Sequence, residues 1–436
     1  MFGGGTIDTY SIEKPHPDMF SLVEARNYRC LRYIQQPMDR FHALIGPNAS
    51  GKSTYLDVIR FLGDMVQPDG LDTAIDRRTQ NWHDLVWMGK DDHFELAVEA
   101  PIPENKREGL ENPEWSRCRY EVRIGETAPS EVGIQEETLL LKQESLKKDK
   151  LRQPSLFPAE DRPIPEKICR KKGTAGTQTV VSKTADGNEN FYDETGSGWN
   201  HACKLGPKRA ALANVPEDPT KFAVSTWFKR MLVDGIEFLR LDSEAMRRPS
   251  PPGKGPGFRP DGSNLPWVIR NLRDEHFPQF QRWLRHIQTA LTDVEDVDTY
   301  VRDEDRHCYL RVEYESGVTV PSWGLSDGTL RMCALTLLPY LPDLKGPVLI
   351  EEPENGIHPP AVETVYESLS SVYDSQVLVA THSPVFLSCA EPEDMLCFAL
   401  DKEGKTDVVL GSDHPQLRDW QRETDLGTLF AGGVLA

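Results

Sequence analysis

FHALIGPNASGKST, residues 41–54, is the stretch that decides the fold. Phe41 to Ile45 are apolar except for His42 and read as a short strand buried in a sheet. Gly46 to Ser53 match the pattern GxxxxGK[ST]. A helical pattern follows from Lys52 to about Met65, with Leu56, Ile59 and Leu62 on one face. Strand, glycine-rich turn and helix, in that order, are the context in which this pattern cradles phosphate. Glycines let the chain curl until several backbone N–H groups point at one anion, and the helix N-terminus adds a favourable dipole. Lys52 would bridge the outer phosphates of ATP and Ser53 would ligate Mg²⁺. The candidate nucleotide-binding residues are therefore Gly46, Asn48, Ala49, Gly51, Lys52, Ser53 and Thr54.

Three further elements fit beside this loop. Val348-Leu349-Ile350 is a short apolar strand that runs into Glu351 and Glu352. A buried strand that ends in two carboxylates presents them at the C-terminal edge of a parallel sheet, where ligands bind. One carboxylate can steer the metal, and the other can orient or deprotonate an attacking water. Leu325-Ser326-Asp327-Gly328-Thr329 is a small, Gly-containing turn at a predicted helix start, either a phosphate-binding device or a simple cap. Thr381-His382-Ser383-Pro384 follows the apolar strand 376–380, so His382 is a candidate partner for a γ-phosphate or its attacking water.

In this order the four elements resemble the ABC-type ATPase core, in the branch that holds SMC, RecF and overcoming-lysogenization-defect (OLD) family ATPases. The resemblance is carried by GPNASGKST at 46–54, LSDGTLR at 325–331, IEEPENGIHP at 350–359 and ATHSP at 380–384. It implies an α/β P-loop NTPase: an ABC-ATPase head with a mixed sheet, helices and a large inserted region. It also implies that Lys52 and Ser53 serve phosphates and Mg²⁺, that Glu351 is the metal-side carboxylate, that Glu352 is the catalytic base and that His382 is the γ-phosphate switch. Ser326 and Gly328 would contact the nucleotide of a second subunit, which makes the expected assembly a homodimer or higher even oligomer. Two departures stand out: Glu351 where Asp is commoner, and Asp327 where many members carry Gly. The Q-loop glutamine has one candidate, Gln80.

The organisation expected is an N-terminal ATPase lobe over 1–124, an insertion over 125–230 outside the core sheet, and a C-terminal ATPase lobe over 231–436. Residues 21–32, 93–100, 118–124 and 308–313 read as strands, and 264–291 and 330–341 as helices. The chain has 436 residues and a net charge of −19, which opposes a surface coated with nucleic acid throughout. Residues 147–172 nevertheless hold nine basic and four acidic side chains. Lys147, Lys148, Arg170, Lys171 and Lys172 there are candidate DNA contacts. No run of 18 apolar residues occurs, so no membrane span is expected. The eight cysteines form no CxxC pair, which favours reduced thiols in a cytoplasmic protein. The acidic run 293–306 reads as a solvated hairpin. Too little sequence follows His382 for the metal-binding domain that OLD nucleases carry, so a separate effector, a nuclease or toxin, is expected, plausibly in anti-phage defence. The alternative is a RecF- or SMC-like DNA-binding ATPase of repair or chromosome maintenance.

Overall fold

The computed structural model describes residues 18–89, 91–144, 164–169, 173, 175–253, 257–344, 346–417, 425–433 and 435. In chain order its strands are β1 (Leu22–Tyr28), β2 (Leu31–Pro37), β3 (Phe41–Ile45), β4 (His93–Pro101), β5 (Trp115–Ala128) and β6 (Glu131–Gln143). Next come β7 (Thr177–Thr184), β8 (Glu189–Tyr192), β9 (Asn200–Cys203), β10 (Glu237–Leu239), β11 (Val294–Val301) and β12 (Cys308–Tyr314). The last are β13 (Thr319–Pro321), β14 (Val348–Glu351), β15 (Val377–Ala380), β16 (Met395–Leu400) and β17 (Thr406–Leu410).

Six of these strands build a sheet in the order β10-β14-β15-β3-β16-β17. Its first five strands are parallel, and β17 pairs antiparallel to β16. Alternation along the short strands divides the apolar side chains between two cores. Phe41, Ala43, Ile45, Val348, Ile350, Val377 and Val379 face one cluster, which includes the helices Leu265–Glu275, Phe277–Ala290, Asp327–Leu335 and Pro359–Ser370. Leu44, Leu349, Leu378 and Ala380 face the other cluster, with Tyr55, Leu56, Ile59, Phe61 and Leu62 of the helix Lys52–Val66. That second cluster continues into Val23, Ala25, Leu96, Val98, Tyr120 and Val122 of an antiparallel sheet. The helix after the glycine-rich turn is thus packed against both sheets, and its N-terminus is fixed by an apolar core.

The antiparallel sheet has eight strands in the order β2-β1-β4-β5-β6-β7-β8-β9. Of the stretch expected as an insertion, 125–230, no described strand joins the six-stranded sheet; its strands extend this antiparallel one. β5 runs across the expected boundary at 124, and β6 to β9, all within 125–230, extend the same sheet that β1, β2 and β4 begin. Residues 21–32 were expected as one strand but contain the β1–β2 hairpin turn, with Asn27 and Arg29 at positive φ. The expected helix 264–291 is two helices broken at His276, with Pro278 in the first turn of the second. The expected helix 330–341 begins earlier, at Asp327, and its α-helical part ends at Leu335. Residues 293–306 do form part of a hairpin, β11 against β12, in a three-stranded sheet completed by β13. Lys147, Lys148, Arg170, Lys171 and Lys172 lie outside the described residues. Among the described residues no helix is long and apolar enough to cross a membrane, and all eight cysteines are free.

The antiparallel sheet buries charge in pairs, which blurs the sequence pattern of its strands. The guanidinium of Arg119 on β5 donates to Glu24 at 2.6 Å, to Glu99 at 3.1 Å and to Glu121. Glu137 on β6 is fully buried, which pushes its carboxyl above the usual range, although three donors oppose the shift. These are Ala211 N at 2.6 Å, Leu212 N at 2.8 Å and the Tyr120 hydroxyl at 2.8 Å. Glu137→Ala strands all three and should lower the unfolding free energy by at least about 2 kcal/mol in chemical denaturation. Its neighbour Glu136 is partly exposed, and Glu136→Ala should cost no more than about 1 kcal/mol. Equal losses for the two would contradict the integration of β6 into the core.

Candidate nucleotide site

The site forms where β14, β15 and β3 end side by side. Glu351 is level with Ala380, and Ala380 with Leu44, so the three strands reach the sheet edge in one row. The ladder continues one step into the loops: Glu352 N donates to Ala380 O at 2.7 Å, and Thr381 N to Leu44 O at 3.1 Å. The glycine-rich turn, the two carboxylates and His382 therefore leave the sheet together.

The turn itself needs its glycines. Gly46 has φ 144°, and a Cβ there would lie 2.2 Å from the Phe398 carbonyl oxygen on β16. Gly51, at φ 104°, starts the helix without a side-chain cap, and a Cβ would meet Thr406 Oγ1 at 2.6 Å. The first N–H groups of the helix are left for an anion. Ala49 is also left-handed at φ 64°. Asn48, Ala49 and Ser53 are exposed and Thr54 is partly so, whereas Gly46, Gly51 and Lys52 are buried. Lys52 Nζ donates to Gly46 O at 2.7 Å and Pro47 O at 2.9 Å. Burial pushes its pKa down to about 8, against the pull of Glu352 and then Glu351.

Glu351 is half-buried at the end of β14, and Glu352 is exposed with φ 48°, a strained value for a side chain of this size. One Glu352 oxygen accepts from Asn355 Nδ2 at 2.6 Å. His382 faces both Lys52 and Glu352. Burial and then the Lys52 charge hold its pKa below the ordinary imidazole value, favouring the neutral ring, while Glu352 and Glu354 resist. Lys52, Glu351, Glu352 and His382 thus lie at one edge of the sheet.

Ser326 and Gly328 belong to a different corner. Ser326 is exposed and caps the helix Asp327–Leu335, its Oγ accepting from Thr329 N at 3.1 Å. Gly328 is packed so closely on the turn after β14 that a Cβ would lie 2.8 Å from Gly356 O. Asp327 is explained by Arg247, which binds it and donates to Leu325 O at 3.2 Å. Sequence reading missed Arg247, which sits 80 residues away at the end of the short helix Ser243–Arg247 with no local signal. It also left Glu354 and Asn355 unassigned, although both lie inside the EEPENG stretch. Gln80 is exposed in the bend after the helix Gly70–Asp76.

A hard cation fits the donor set. Ser53 offers an open hydroxyl and Glu351 a carboxylate at the sheet edge, the oxygen chemistry that Mg²⁺ takes together with phosphates and water. Among the described residues no group of three or more His, Cys, Asp or Glu gathers to hold a metal by itself.

Residues 41–168 and 228–388, well over half of the chain, match the family model described as AAA domain, putative AbiEii toxin, type IV TA system. No curated protein matches the chain. Similar solved structures include an Smc head bound to the C-winged helix domain of ScpA, at 13% identity and TM-score 0.49, covering 90% of this chain and 97% of that one. Another is the Pyrococcus furiosus Smc head with an extended coiled coil bound to the C-terminal domain of ScpA, at 11% identity and TM-score 0.49, covering 90% and 96%. The Thermotoga maritima SMC head domain matches at 11% identity and TM-score 0.38, covering 90% and 98%.

The depressed Lys52 pKa gives the site a pH signature. A bound triphosphate favours the ammonium, so binding takes up a proton wherever free Lys52 is neutral, that is, above about pH 8. ATP affinity should hold steady below pH 7 and weaken above pH 8, by no more than about tenfold per pH unit. Calorimetry at pH 8.5 in buffers of different ionisation enthalpy should register proton uptake. An affinity flat to pH 9.5 would contradict the assignment.

Proposed function

The chain belongs to the AAA-domain family described as putative AbiEii toxin of type IV TA systems, and from that premise we propose a Mg²⁺-dependent ATPase that closes into an ATP-sandwiched homodimer and controls a separate effector. The observation that carries the proposal is the convergence of Lys52, Glu351, Glu352 and His382 at one sheet edge, beside a helix N-terminus with open N–H groups.

In this mechanism backbone N–H groups between Asn48 and Thr54 cradle the phosphates, and Lys52 leaves the carbonyls of Gly46 and Pro47 for the outer phosphate oxygens. Ser53 and Glu351 would hold Mg²⁺, which would supply positive charge against the phosphates. Glu352 orients the attacking water and takes its proton, and the neutral imidazole of His382 donates to the γ-phosphate or that water. Ser326 and Gly328 complete the site from the second copy. The exposure of Ser326, and the packing of Gly328 on its own chain's turn, support a role across an interface. ATP stabilises the closed dimer by its contacts with both copies, and loss of the γ-phosphate releases it. Turnover is slow because opening follows chemistry.

The family description names a putative toxin of a type IV TA system, which supports a link to toxin activity; the separate nuclease or toxin effector and the place in anti-phage defence are part of the proposal.

Replacing the base should separate binding from chemistry. Glu352→Gln is expected to lower ATP hydrolysis about a hundredfold or more and to accumulate as a dimer with ATP and Mg²⁺ by light scattering. Ser326→Arg should bind ATP and stay monomeric. A Glu352→Gln chain that remains monomeric at saturating ATP would sink the dimer proposal.

A further inference from the structure

Glu354 lies two residues past the proposed base, and its contacts cross to the neighbouring strand end. Its Oε1 accepts from Thr381 Oγ1 at 2.7 Å and from His382 N at 3.1 Å. The Thr381 hydroxyl, which donates to Glu354, also accepts from Ser383 N at 3.0 Å. Ser383 in turn caps the helix Pro384–Ser388. The main chain around His382 is therefore tied to a carboxylate on the β14 turn and stopped on its other side by a capped helix. Glu354 Oε2 is buried without a hydrogen-bond partner. A carboxylate with one oxygen desolvated and unpaired is a costly way to brace a turn. What that cost secures is the pair of hydrogen bonds that Oε1 accepts from the end of β15.

Resting on the ATPase proposed above, we infer that Glu354 is a positioning residue for hydrolysis, acting through His382. Two hydrogen bonds fix where the imidazole leaves β15, and the backbone bond from Glu352 N to Ala380 O fixes the base against the same strand end. Base and switch consequently move as one unit. Asn355, the next residue, holds the Glu352 carboxylate. One four-residue turn thus positions both groups. An error of about 1 Å in either can cost a hundredfold in rate without loosening the bound nucleotide.

The test is steady-state ATP hydrolysis, with nucleotide affinity measured separately, on wild type, Glu354→Ala, Glu354→Gln, His382→Ala and the Glu354→Ala/His382→Ala double variant. Glu354→Ala should lower kcat about tenfold to a hundredfold and leave KM and ATP affinity within about threefold. Glu354→Gln should recover most of kcat, because its amide oxygen accepts the same two hydrogen bonds. In the double variant the Glu354 change should add no more than about twofold to the His382 loss, since residues that act as one unit are not additive. The inference is overturned if Glu354→Ala keeps wild-type kcat, if Gln fares no better than Ala, or if the two losses multiply. A wild-type chain that leaves ATP intact would take down the ATPase assignment first, and this inference with it.

Discussion

Everything at the site hangs on parallel pairing in register of three short strands, β14, β15 and β3. Each has only four or five residues, so the ladder hydrogen bonds leave little freedom in where a strand ends. Parallel bonding sends all three C-termini to one edge, and the apolar cores on both faces prevent slippage, because a shift by one residue would turn Val377 and Val379 toward the wrong core. The phosphate loop, the paired carboxylates and the histidine owe their proximity to that register. They are remote in sequence and adjacent in space for a reason that involves none of their own side chains.

What the edge gathers is poised against its own comfort. Lys52 is buried among backbone carbonyls, and Ala49 and Glu352 occupy left-handed backbone that side chains normally avoid. These costs are met by the surrounding packing: the helix Lys52–Val66 is clamped between two sheets, so its N-terminus cannot relax. A triphosphate would relieve the lysine and satisfy the uncapped N–H groups at once. The same rigidity explains why Gly328, packed against Gly356, must be glycine on its own chain's account, whatever it contacts elsewhere.

Three strands of the six-stranded sheet, β3, β14 and β15, were legible in the sequence because they are short, apolar on both faces and followed by glycine, an acid pair or histidine, whereas β10, β16 and β17 were not read. The antiparallel sheet was legible only in part: 21–32, 93–100 and 118–124 read as strands, whereas β6 to β9 did not. Its strands carry Arg119, Glu121 and Glu137, side chains that read as solvated until their partners appear from β1, β4 and residues 210–214. Pairing of this kind has no period. Four candidate residues at the sheet edge, Lys52, Glu351, Glu352 and His382, were legible from local motifs and do converge. Arg247 carried no local signal, since its role exists only through Asp327 and Leu325. Glu354 was visible as a residue but silent as to role, because nothing in EEPENG tells which carboxylate turns toward the next strand.

The central claim is that each ATP is held by the phosphate loop of one copy and the Ser326 turn of the other. Mixing two inactive chains tests it most directly: Lys52→Ala, which lacks the lysine, and Ser326→Arg, which lacks the partner's turn. A mixed dimer contains one intact composite site and one doubly broken site. An equimolar mixture should therefore recover about a quarter of wild-type ATP hydrolysis, from half the dimers with one site each. No recovery at any mixing ratio, with both chains folded and each inactive alone, would contradict the account.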